Sequence, residues 1–241
     1  MYFAPLDNIR IILSHPTHPG NIGAAARAMK TMGITQLFLV NPKRFPDREA
    51  SDRSAGAQDV LERATVCATL REALSGTVLA AAVTSRRRDL AAPMYVLRAA
   101  TPRLIHTAKE KTIALVFGTE MSGLTNEEVD KCQLLVSIPS DPAFRSLNLA
   151  AAVQLVSYEL RLAALEDNGE GTPQANLARL EEVELLYTHL EQCLVKLEFL
   201  DPQNPRRLMT RMRRLFARTA LEAEEVAIWR GILAAIQRKV D

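Results

Sequence analysis

Residues Leu115-Val116-Phe117-Gly118-Thr119-Glu120-Met121-Ser122-Gly123-Leu124 decide the fold of this chain, because an apolar run stops at a glycine and continues as a small polar loop. The run predicts a buried strand that delivers a binding loop, since parallel α/β sheets place their sites where strands end. Gly118 and Gly123 have the spacing of a Walker A phosphate loop, but Leu124 stands where that motif requires lysine. The loop is therefore not predicted to hold a nucleoside triphosphate.

The composition is that of an ordinary globular chain. Its 241 residues suffice for one large domain or for a medium domain with an appendage. The formal net charge of +2 is too small to indicate nucleic-acid binding by itself, so any basic surface must be local. Cys67, Cys132 and Cys193 are widely spaced and odd in number. They predict reduced thiols in a cytoplasmic protein without disulfides.

Neither secretion nor membrane insertion is expected. The first ten residues contain no apolar core of signal-peptide length. The longest apolar segment, 147–165, is interrupted by Asn148, Gln154, Glu159 and Arg161. This segment therefore predicts a buried helix and not a membrane span.

Strands alternate with helices over the first two thirds of the chain. The predicted strands are Ile9–Leu13, Gln36–Val40, Val78–Val83, Ile113–Phe117 and Leu134–Ile138. The predicted helices are Asn21–Met32, Leu70–Leu74, Met94–Lys109, Thr125–Cys132 and Ser146–Glu166, while 43–56 is predicted to be irregular. Asn21 is the expected N-cap of the first helix, Gly33 its C′ residue, and Thr125 with Glu128 a capping box. The alternation predicts an α/β fold, a parallel sheet with helices on both faces.

A polar stretch then separates this part from a purely helical one. Residues 167–176 carry two glycines and a proline, as linkers do. Beyond them, helices are predicted at 177–197, 206–218 and 221–240. We therefore expect an α/β domain at 1–166, a linker at 167–176 and a helical extension at 177–241.

Small and polar residues gather in three loops that follow strands: residues 19–23 with Arg27, residues 118–124, and residues 138–148. In a parallel sheet such loops lie at one edge. The first loop offers only Gly20-x-x-Gly23, so a Rossmann GxGxxG site is not supported. Taken singly, these glycines are usually turn residues.

Together, the three loops resemble the motifs of the SPOUT family of RNA methyltransferases. The matching residues are Asn21, Gly23 and Arg27, then Phe117-Gly118-x-Glu120-x-x-Gly123-Leu124, then Ile138-Pro139 followed by Ser146-Leu147-Asn148-Leu149-Ala150. The resemblance runs in order from Ile9 to about Glu166, and its last motif is similar to that of the ribose 2′-O-methylating branch. The length of the helical extension and the run 27–33 are most similar to the TrmJ type, which methylates the ribose of a pyrimidine, C or U at position 32, in the tRNA anticodon loop.

The resemblance implies a SPOUT domain with a deep C-terminal trefoil knot, a homodimer built on the knot region, and tRNA as partner. It also implies bound S-adenosylmethionine, with S-adenosylhomocysteine as product, and requires no metal. By residue matching, the cofactor would be held by Thr84, Ser85, Arg86, Phe117, Gly118, Glu120, Gly123, Leu124, Ile138, Pro139, Arg145, Ser146 and Leu147.

The resemblance implies Arg27, Ser146, Asn148 and Glu120 as the catalytic set, with Asn21 and Arg27 meeting the RNA. A guanidinium stays protonated in proteins, with a pKa above about 12, so Arg27 is expected to fix a phosphate and stabilise the alkoxide, not to act as a base. Ser146 and Asn148 either orient the ribose or Arg27, or cap the helix that follows. Glu120 is open between three roles: pairing with Arg27, binding the methionine amino group, and holding its loop.

A second possible site is the pair His15 and His18. Their spacing suits a metal, yet no Cys, Asp or Glu lies within several residues after them. A solvated or loop-packing pair is the favoured interpretation.

A basic stripe is predicted in the helical extension. Arg207, Arg211, Arg214 and Arg218 are spaced 4, 3 and 4 apart and share one helix face, and residues 206–218 contain no acid. RNA phosphates are the expected partner of this stripe. Two weaker basic groups are 86–88 and Lys43, Arg44 and Arg48.

Three alternatives to the tRNA enzyme stay open. The chain could be an RNA-binding protein on a SPOUT scaffold that has lost activity, although Arg27, Ser146 and Asn148 count against it. It could methylate rRNA or another tRNA position. A base N-methyltransferase would be expected to carry different residues around the last motif.

Overall fold

The structure, a computed structural model, describes residues 4–86, 92–166 and 176–240. Arg87 and Arg88, which belong to the basic group 86–88, lie outside the described residues. So does the predicted linker, except for Asn176.

Within the described residues, seven parallel strands form one sheet in the order β3-β2-β1-β6-β4-β7-β5. They are β1 (Ile9–Ser14), β2 (Gln36–Val40), β3 (Thr65–Cys67), β4 (Leu79–Val83), β5 (Met94–Val96), β6 (Ile113–Phe117) and β7 (Leu134–Ser137). The predicted organising strand is β6, the middle strand of the sheet. Leu115 pairs with Ile11 on β1 and with Ala81 on β4, and every residue of β6 is buried. The α/β prediction is confirmed.

The helices of the described region comprise α1 (Ala4–Asp7), α2 (Pro19–Thr31), α3 (Arg48–Ser54), α4 (Gln58–Glu62), α5 (Leu70–Leu74), α6 (Leu97–Ala108), α7 (Asn126–Val129), α8 (Leu149–Glu166), α9 (Leu180–Lys196), α10 (Leu208–Thr219) and α11 (Ala223–Val240). Helices α2, α6 and α8 enclose the larger core on one face of the sheet. Helices α5 and α7 enclose the smaller core on the other face, so both faces are covered as predicted.

Several predicted elements were wrong at the edges of the sheet. Met94–Val96 is an edge strand and not the start of a helix, because Pro93 and the extended residues after it pair with β7. Residues 43–56 were predicted to be irregular but contain α3, which Asp47 caps by accepting the backbone N–H of Glu49. The short strand β3 at the other edge was missed, since three residues carry little periodic signal.

Two further predictions, both about where helices begin, were wrong. Helix α2 begins at Pro19 and is capped by His18, not by Asn21, whose side chain is engaged elsewhere. Helix α8 begins at Leu149, where Asn148 accepts the N–H groups of the first turn, so Ser146 is not the cap. The predicted C′ glycine of α2, Gly33, has a positive φ of 81°, and the Thr125–Glu128 capping box is present.

The helical extension packs its own core between α9, α10 and α11. It also docks on the α/β part at the turn that precedes strand β4. The backbone N–H of Leu180 donates to the carbonyl of Thr77 at 2.9 Å, and Glu181 accepts the N–H of Gly76 at 2.7 Å. The Leu180 side chain joins the smaller core of the sheet.

Three further expectations concern the knot, membrane-spanning helices and disulfides. The trefoil knot stays a prediction from the resemblance. No helix among the described residues has both the length and the apolar character needed to cross a membrane. Cys67, Cys132 and Cys193 are buried and are not joined in disulfides.

Candidate active site

A cavity of about 730 Å³ opens where β4, β6 and β7 end. These strands are neighbours in the sheet, so their carboxyl-end loops meet although they lie far apart in sequence. The cavity is lined by Val83, Thr84, Ser85, Arg86, Phe117, Gly118, Thr119, Glu120, Met121, Ser122, Gly123, Leu124, Ile138, Arg145, Ser146, Leu147, Leu149 and Ala152.

The loop after β6 is closed tightly on itself. The N–H of Gly123 donates to the carbonyl of Thr119 at 3.0 Å, and the Thr119 and Ser122 hydroxyls lie 2.7 Å apart. Gly123 has a φ of +69°, a conformation that favours glycine. A Cβ built on Gly118 would lie 2.1 Å from the Gly123 carbonyl carbon and 2.2 Å from the Leu124 nitrogen. Gly118 therefore makes this closure possible.

The loop after β7 is shaped by short-range hydrogen bonds and leads into α8. Arg145 donates its Nε to the carbonyl of Pro142 at 3.3 Å. At the end of the loop, the Oδ1 of Asn148 accepts the N–H groups of Ala150 and Ala151. The start of α8 thus fixes where the loop ends at the cavity wall.

The carboxylate of Glu120 is the anchor between the cavity loop and the loop between β1 and α2. It accepts the N–H of Thr17 at 3.0 Å, the Thr17 hydroxyl at 2.8 Å and the N–H of His18 at 3.1 Å. It also accepts the Nδ2 amide of Asn21 at 3.0 Å. Arg27 is not among its contacts. Of the three roles left open by the sequence, the geometry supports the one in which Glu120 holds a loop.

Burial alone would raise the pKa of Glu120, but the hydrogen bonds from Asn21 and Thr17 outweigh it and lower the pKa to about 2. Glu120 is therefore a carboxylate at neutral pH. A carboxylate accepts hydrogen bonds and cannot donate them, so this group is suited to holding N–H and O–H donors and not to donating a proton.

Asn21 continues this connection toward the third motif. Its Oδ1 accepts the Nδ2 amide of Asn148 at 3.0 Å, while its own Nδ2 donates to Glu120. One hydrogen-bonded chain, Glu120–Asn21–Asn148, therefore joins the loop after β6, the start of α2 and the start of α8. Every polar atom of the Asn148 side chain is used in this chain or in the α8 cap.

Glu120→Gln is expected to lower the free energy of unfolding by about 1.5 kcal/mol at pH 7, because a charged carboxylate accepts hydrogen bonds more strongly than a neutral amide does. The effect is no larger because Glu120 is partly exposed and solvent screens its charge. A carboxyl with a lowered folded-state pKa stabilises the fold above its unfolded pKa and loses this contribution as pH falls toward 2. Urea unfolding at pH 7 and at pH 3 should therefore show a smaller difference between variant and wild type at pH 3. The exposed Glu127 supplies the control, Glu127→Gln. An equal penalty at both pH values would contradict the role of the charge.

Arg27 lies on the solvent-exposed side of α2 and does not line the cavity. In the part of the chain that the structure describes, no hydrogen bond or ion pair engages its guanidinium. The helix is fixed in place because Gly23 packs against the backbone of Ala50, where a Cβ would lie 2.0 Å from the carbonyl oxygen. The guanidinium is thus presented to solvent from a rigid support.

The two histidines make local hydrogen bonds. His15 Nδ1 lies 3.0 Å from the Ser14 hydroxyl, which donates to the buried Glu128. His18 Nδ1 accepts the N–H of Gly20 at 3.2 Å. Among the described residues, no group of three or more His, Cys, Asp or Glu could hold a metal ion.

The structure brings together all of the predicted cofactor residues except Pro139, which lies at a smaller neighbouring cleft. Arg27, Asn21 and Asn148 are not in the cavity wall. The residues that sequence reasoning missed are Val83, Thr119, Met121, Ser122, Leu149 and Ala152. Thr119, Met121 and Ser122 occupy the variable positions of the middle motif. The sequence signal that could have identified them is therefore their location within the motif and not their residue type.

Family models match two parts of the chain. The SpoU rRNA Methylase family matches residues 8–158, and the C-terminal domain of the tRNA methyltransferase TrmJ matches residues 181–241. A protein of Pseudomonas aeruginosa (strain UCBPP-PA14), tRNA (cytidine/uridine/adenosine-2′-O-)-methyltransferase TrmJ, is 48% identical over 97% of this chain and 95% of its own. The tRNA (cytidine/uridine-2′-O-)-methyltransferase TrmJ of Pectobacterium atrosepticum is 44% identical over 98% of this chain and 99% of its own.

A crystal structure of TrmJ from Z. mobilis ZM4 has a similar fold. It superposes with a TM-score of 0.83 at 31% sequence identity, covering 95% of this chain and 98% of that one. The similarity therefore includes both the sheet domain and the helical extension.

Proposed function

The chain belongs to the SpoU rRNA methylase family and is a tRNA 2′-O-methyltransferase that uses S-adenosylmethionine, and we propose that it methylates the ribose of C or U at position 32 in the anticodon loop. The single observation that carries this assignment is the cavity in which the second and third motifs meet, with the first motif joined to it through the hydrogen bond from Asn21 to Glu120. The helical extension, which is similar to the C-terminal domain of TrmJ, supports tRNA as the substrate.

The cavity fits S-adenosylmethionine. Its volume of about 730 Å³ is in the range of small-molecule pockets. Leu124, Ile138, Leu147 and Leu149 offer apolar surface for an adenine ring, while glycine backbone groups and nearby hydroxyls offer neutral hydrogen-bond partners. The remaining contacts would come from Thr84, Ser85, Arg86, Phe117, Gly118, Gly123, Arg145 and Ser146, while Pro139 lies at the neighbouring cleft.

The reaction replaces the proton of the ribose 2′-hydroxyl with a methyl group. When bound, S-adenosylmethionine supplies a methyl on a sulfonium. The O–C bond forms as the S–C bond breaks, its electron pair stays on sulfur as the neutral thioether S-adenosylhomocysteine, and the hydroxyl proton passes to water or a phosphate. Arg27 holds an RNA phosphate and stabilises the negative charge that develops on the 2′-oxygen.

The other motif residues position the parts of this site. The side-chain amide of Asn148 donates to Asn21, and the side-chain amide of Asn21 donates to Glu120. These hydrogen bonds hold α2, the helix that carries Arg27, in a fixed position relative to the cavity loops. Ser146 lines the cavity, is exposed and does not cap α8, which leaves its hydroxyl for the ribose. Such preorganisation lowers the cost of reaching an in-line attack geometry.

The arginine stripe on α10 is the proposed tRNA-binding surface of the extension. All four arginines are exposed, and Arg211, Arg214 and Arg218 lie on α10 as the spacing predicted. The predicted start of this helix at 206 was wrong: α10 begins at Leu208, and Arg207 is its N-cap residue, with a positive φ of 58°. Arg213, on the same helix, is used differently: it pairs with Glu184 and lies over the Tyr187 ring at 4.4 Å. This internal pair fixes the rotation of α10 against α9 and directs the stripe outward.

Replacing Arg207, Arg211 and Arg214 together with alanine should weaken tRNA binding and flatten its dependence on salt. Each lost phosphate contact removes about 0.7 to 0.9 from the slope of log K against log salt, so a change of roughly 2 to 3 is expected. Filter binding at salt concentrations from about 50 to about 200 mM provides the test.

The matched control removes the same charge from another helix of the extension, with Arg230, Arg238 and Lys239 on α11 replaced by alanine. This control should leave most of the slope in place. If both triple variants flatten the slope equally, net charge and not the α10 stripe binds tRNA.

A homodimer in the cytoplasm is the proposed working form. Helix α8 presents an exposed apolar stripe that includes Ala151, Leu155 and Tyr158, spaced 4 and 3 apart. A second copy of this helix is the partner that would cover it, and the small residues along α8 permit a close approach. The domain division at 1–166 and 177–241 is supported by the separate core of the extension.

Methyl transfer itself is tested with unmodified tRNA and labelled S-adenosylmethionine, followed by mapping of the methylated ribose. Label at the 2′-oxygen of position 32 is the expected result. Label at another tRNA position or on rRNA would overturn the proposed position, and no transfer to any RNA would overturn the enzyme.

A further inference from the structure

Phe144 is an exposed aromatic residue beside the cavity. Its side chain is 76% exposed, and the next residue along the chain, Arg145, lines the cavity. Consecutive Cα atoms are about 3.8 Å apart, so the Phe144 Cα lies at this distance from the Cα of the cavity-lining Arg145. Met121, on the loop after β6, lines the same cavity and is 92% exposed. Two loops that border one cavity therefore each present a large apolar side chain to solvent.

The backbone around Phe144 is held in a turn. The Asp141 carboxylate accepts the N–H of Ala143 at 2.7 Å, and the Asp141 carbonyl accepts the N–H of Phe144 at 3.0 Å. Arg145 returns a hydrogen bond to the carbonyl of Pro142. These contacts fix the Phe144 Cα next to the cavity while the ring remains in water. An aromatic ring kept exposed by its own turn is suited to receive a planar partner.

We propose that Phe144 stacks on the base of the nucleotide that is methylated. The inference rests on the proposed function, because the reacting 2′-oxygen and the base are carried by neighbouring carbons of one ribose. A ribose that reaches the cavity must therefore leave its base close to the cavity rim. Anticodon-loop bases are unpaired and can turn out onto an aromatic side chain, and such stacking tolerates different bases.

Phe144→Ala should lower kcat/KM for tRNA roughly 10- to 100-fold, the usual cost of losing a base-stacking aromatic, while S-adenosylmethionine affinity stays unchanged. Phe144→Tyr and Phe144→Trp should retain most of the activity, and Phe144→Leu should not, because it keeps apolar area but has no π face. The control is Phe199→Ala: Phe199 is 70% exposed in the extension and should tolerate the change.

An RNA that lacks only the target base isolates the contact. A stem-loop with an abasic nucleotide at the target should bind wild type and Phe144→Ala equally, whereas the normal stem-loop should bind Phe144→Ala more weakly. Equal loss with both RNAs would overturn stacking. So would full rescue by leucine, or a fall to monomer mass in light scattering, which would place Phe144 in an interface between copies.

The outcome also separates this proposal from the proposed function. If the wild type methylates tRNA and Phe144→Ala does so with the same kcat/KM, the stacking proposal alone fails. If the wild type transfers no methyl group to any RNA, the proposed function fails before Phe144 is tested.

Discussion

Arg27→Ala is expected to reduce turnover at least about 100-fold while S-adenosylmethionine binds with nearly unchanged affinity. Removing one preorganised group that stabilises developing negative charge costs about that much in comparable sites. Arg27 is outside the cavity wall, so the cofactor loses no contact. It is also exposed, so the fold loses little packing. Single-turnover methyl transfer to tRNA and calorimetric titration of S-adenosylmethionine measure the two effects separately.

Arg27→Lys is the informative companion variant. Lysine keeps the charge but lacks the planar fork that binds a phosphate through two N–H groups, so turnover should fall between wild type and Arg27→Ala. Wild-type turnover in Arg27→Ala would remove this residue from the mechanism. Loss of cofactor affinity in the same variant would show that Arg27 supports the cavity instead.

Gly118→Ala is expected to weaken S-adenosylmethionine binding by roughly 100-fold, because overpacking costs up to about 3 kcal/mol and each 1.4 kcal/mol is about tenfold in affinity. The added Cβ would lie 2.1 Å from the Gly123 carbonyl carbon and 2.2 Å from the Leu124 nitrogen, both of them backbone atoms. The loop after β6 must therefore open, and the cavity wall moves with it. Isothermal titration with S-adenosylmethionine measures the loss.

The same substitution at Gly231 is the control. Gly231 lies inside α11, and a Cβ built there meets nothing within 4 Å. Gly231→Ala should therefore leave cofactor binding intact and raise stability by about 0.5–1 kcal/mol, the gain from replacing glycine in a helix interior. Circular dichroism and thermal unfolding show whether Gly118→Ala is still folded. A folded Gly118→Ala with normal affinity would contradict the tight closure of this loop.

Residues with a strong local signal were predicted well. The apolar run before Gly118 predicted the central strand, and the Thr125–Glu128 spacing predicted a capping box that is present. Predictions failed where a distant partner overrides a local preference. Asn21 has the composition of an N-cap, yet its amide is held by Glu120, 99 residues away, and His18 caps the helix instead. Met94–Val96 is a strand because β7 pairs with it.

The sequence by itself determined the alternation of strands and helices, the motif residues and the family they resemble, because each is written in short stretches with their own periodicity or spacing. Only the tertiary structure decided that β6, β4 and β7 are neighbours, so that their loops enclose one cavity. It alone gave Glu120 its role as an anchor and left Phe144 exposed at the rim. The physical reason is that strand order, burial and hydrogen-bond partners depend on contacts between residues far apart in the chain, which no local pattern records.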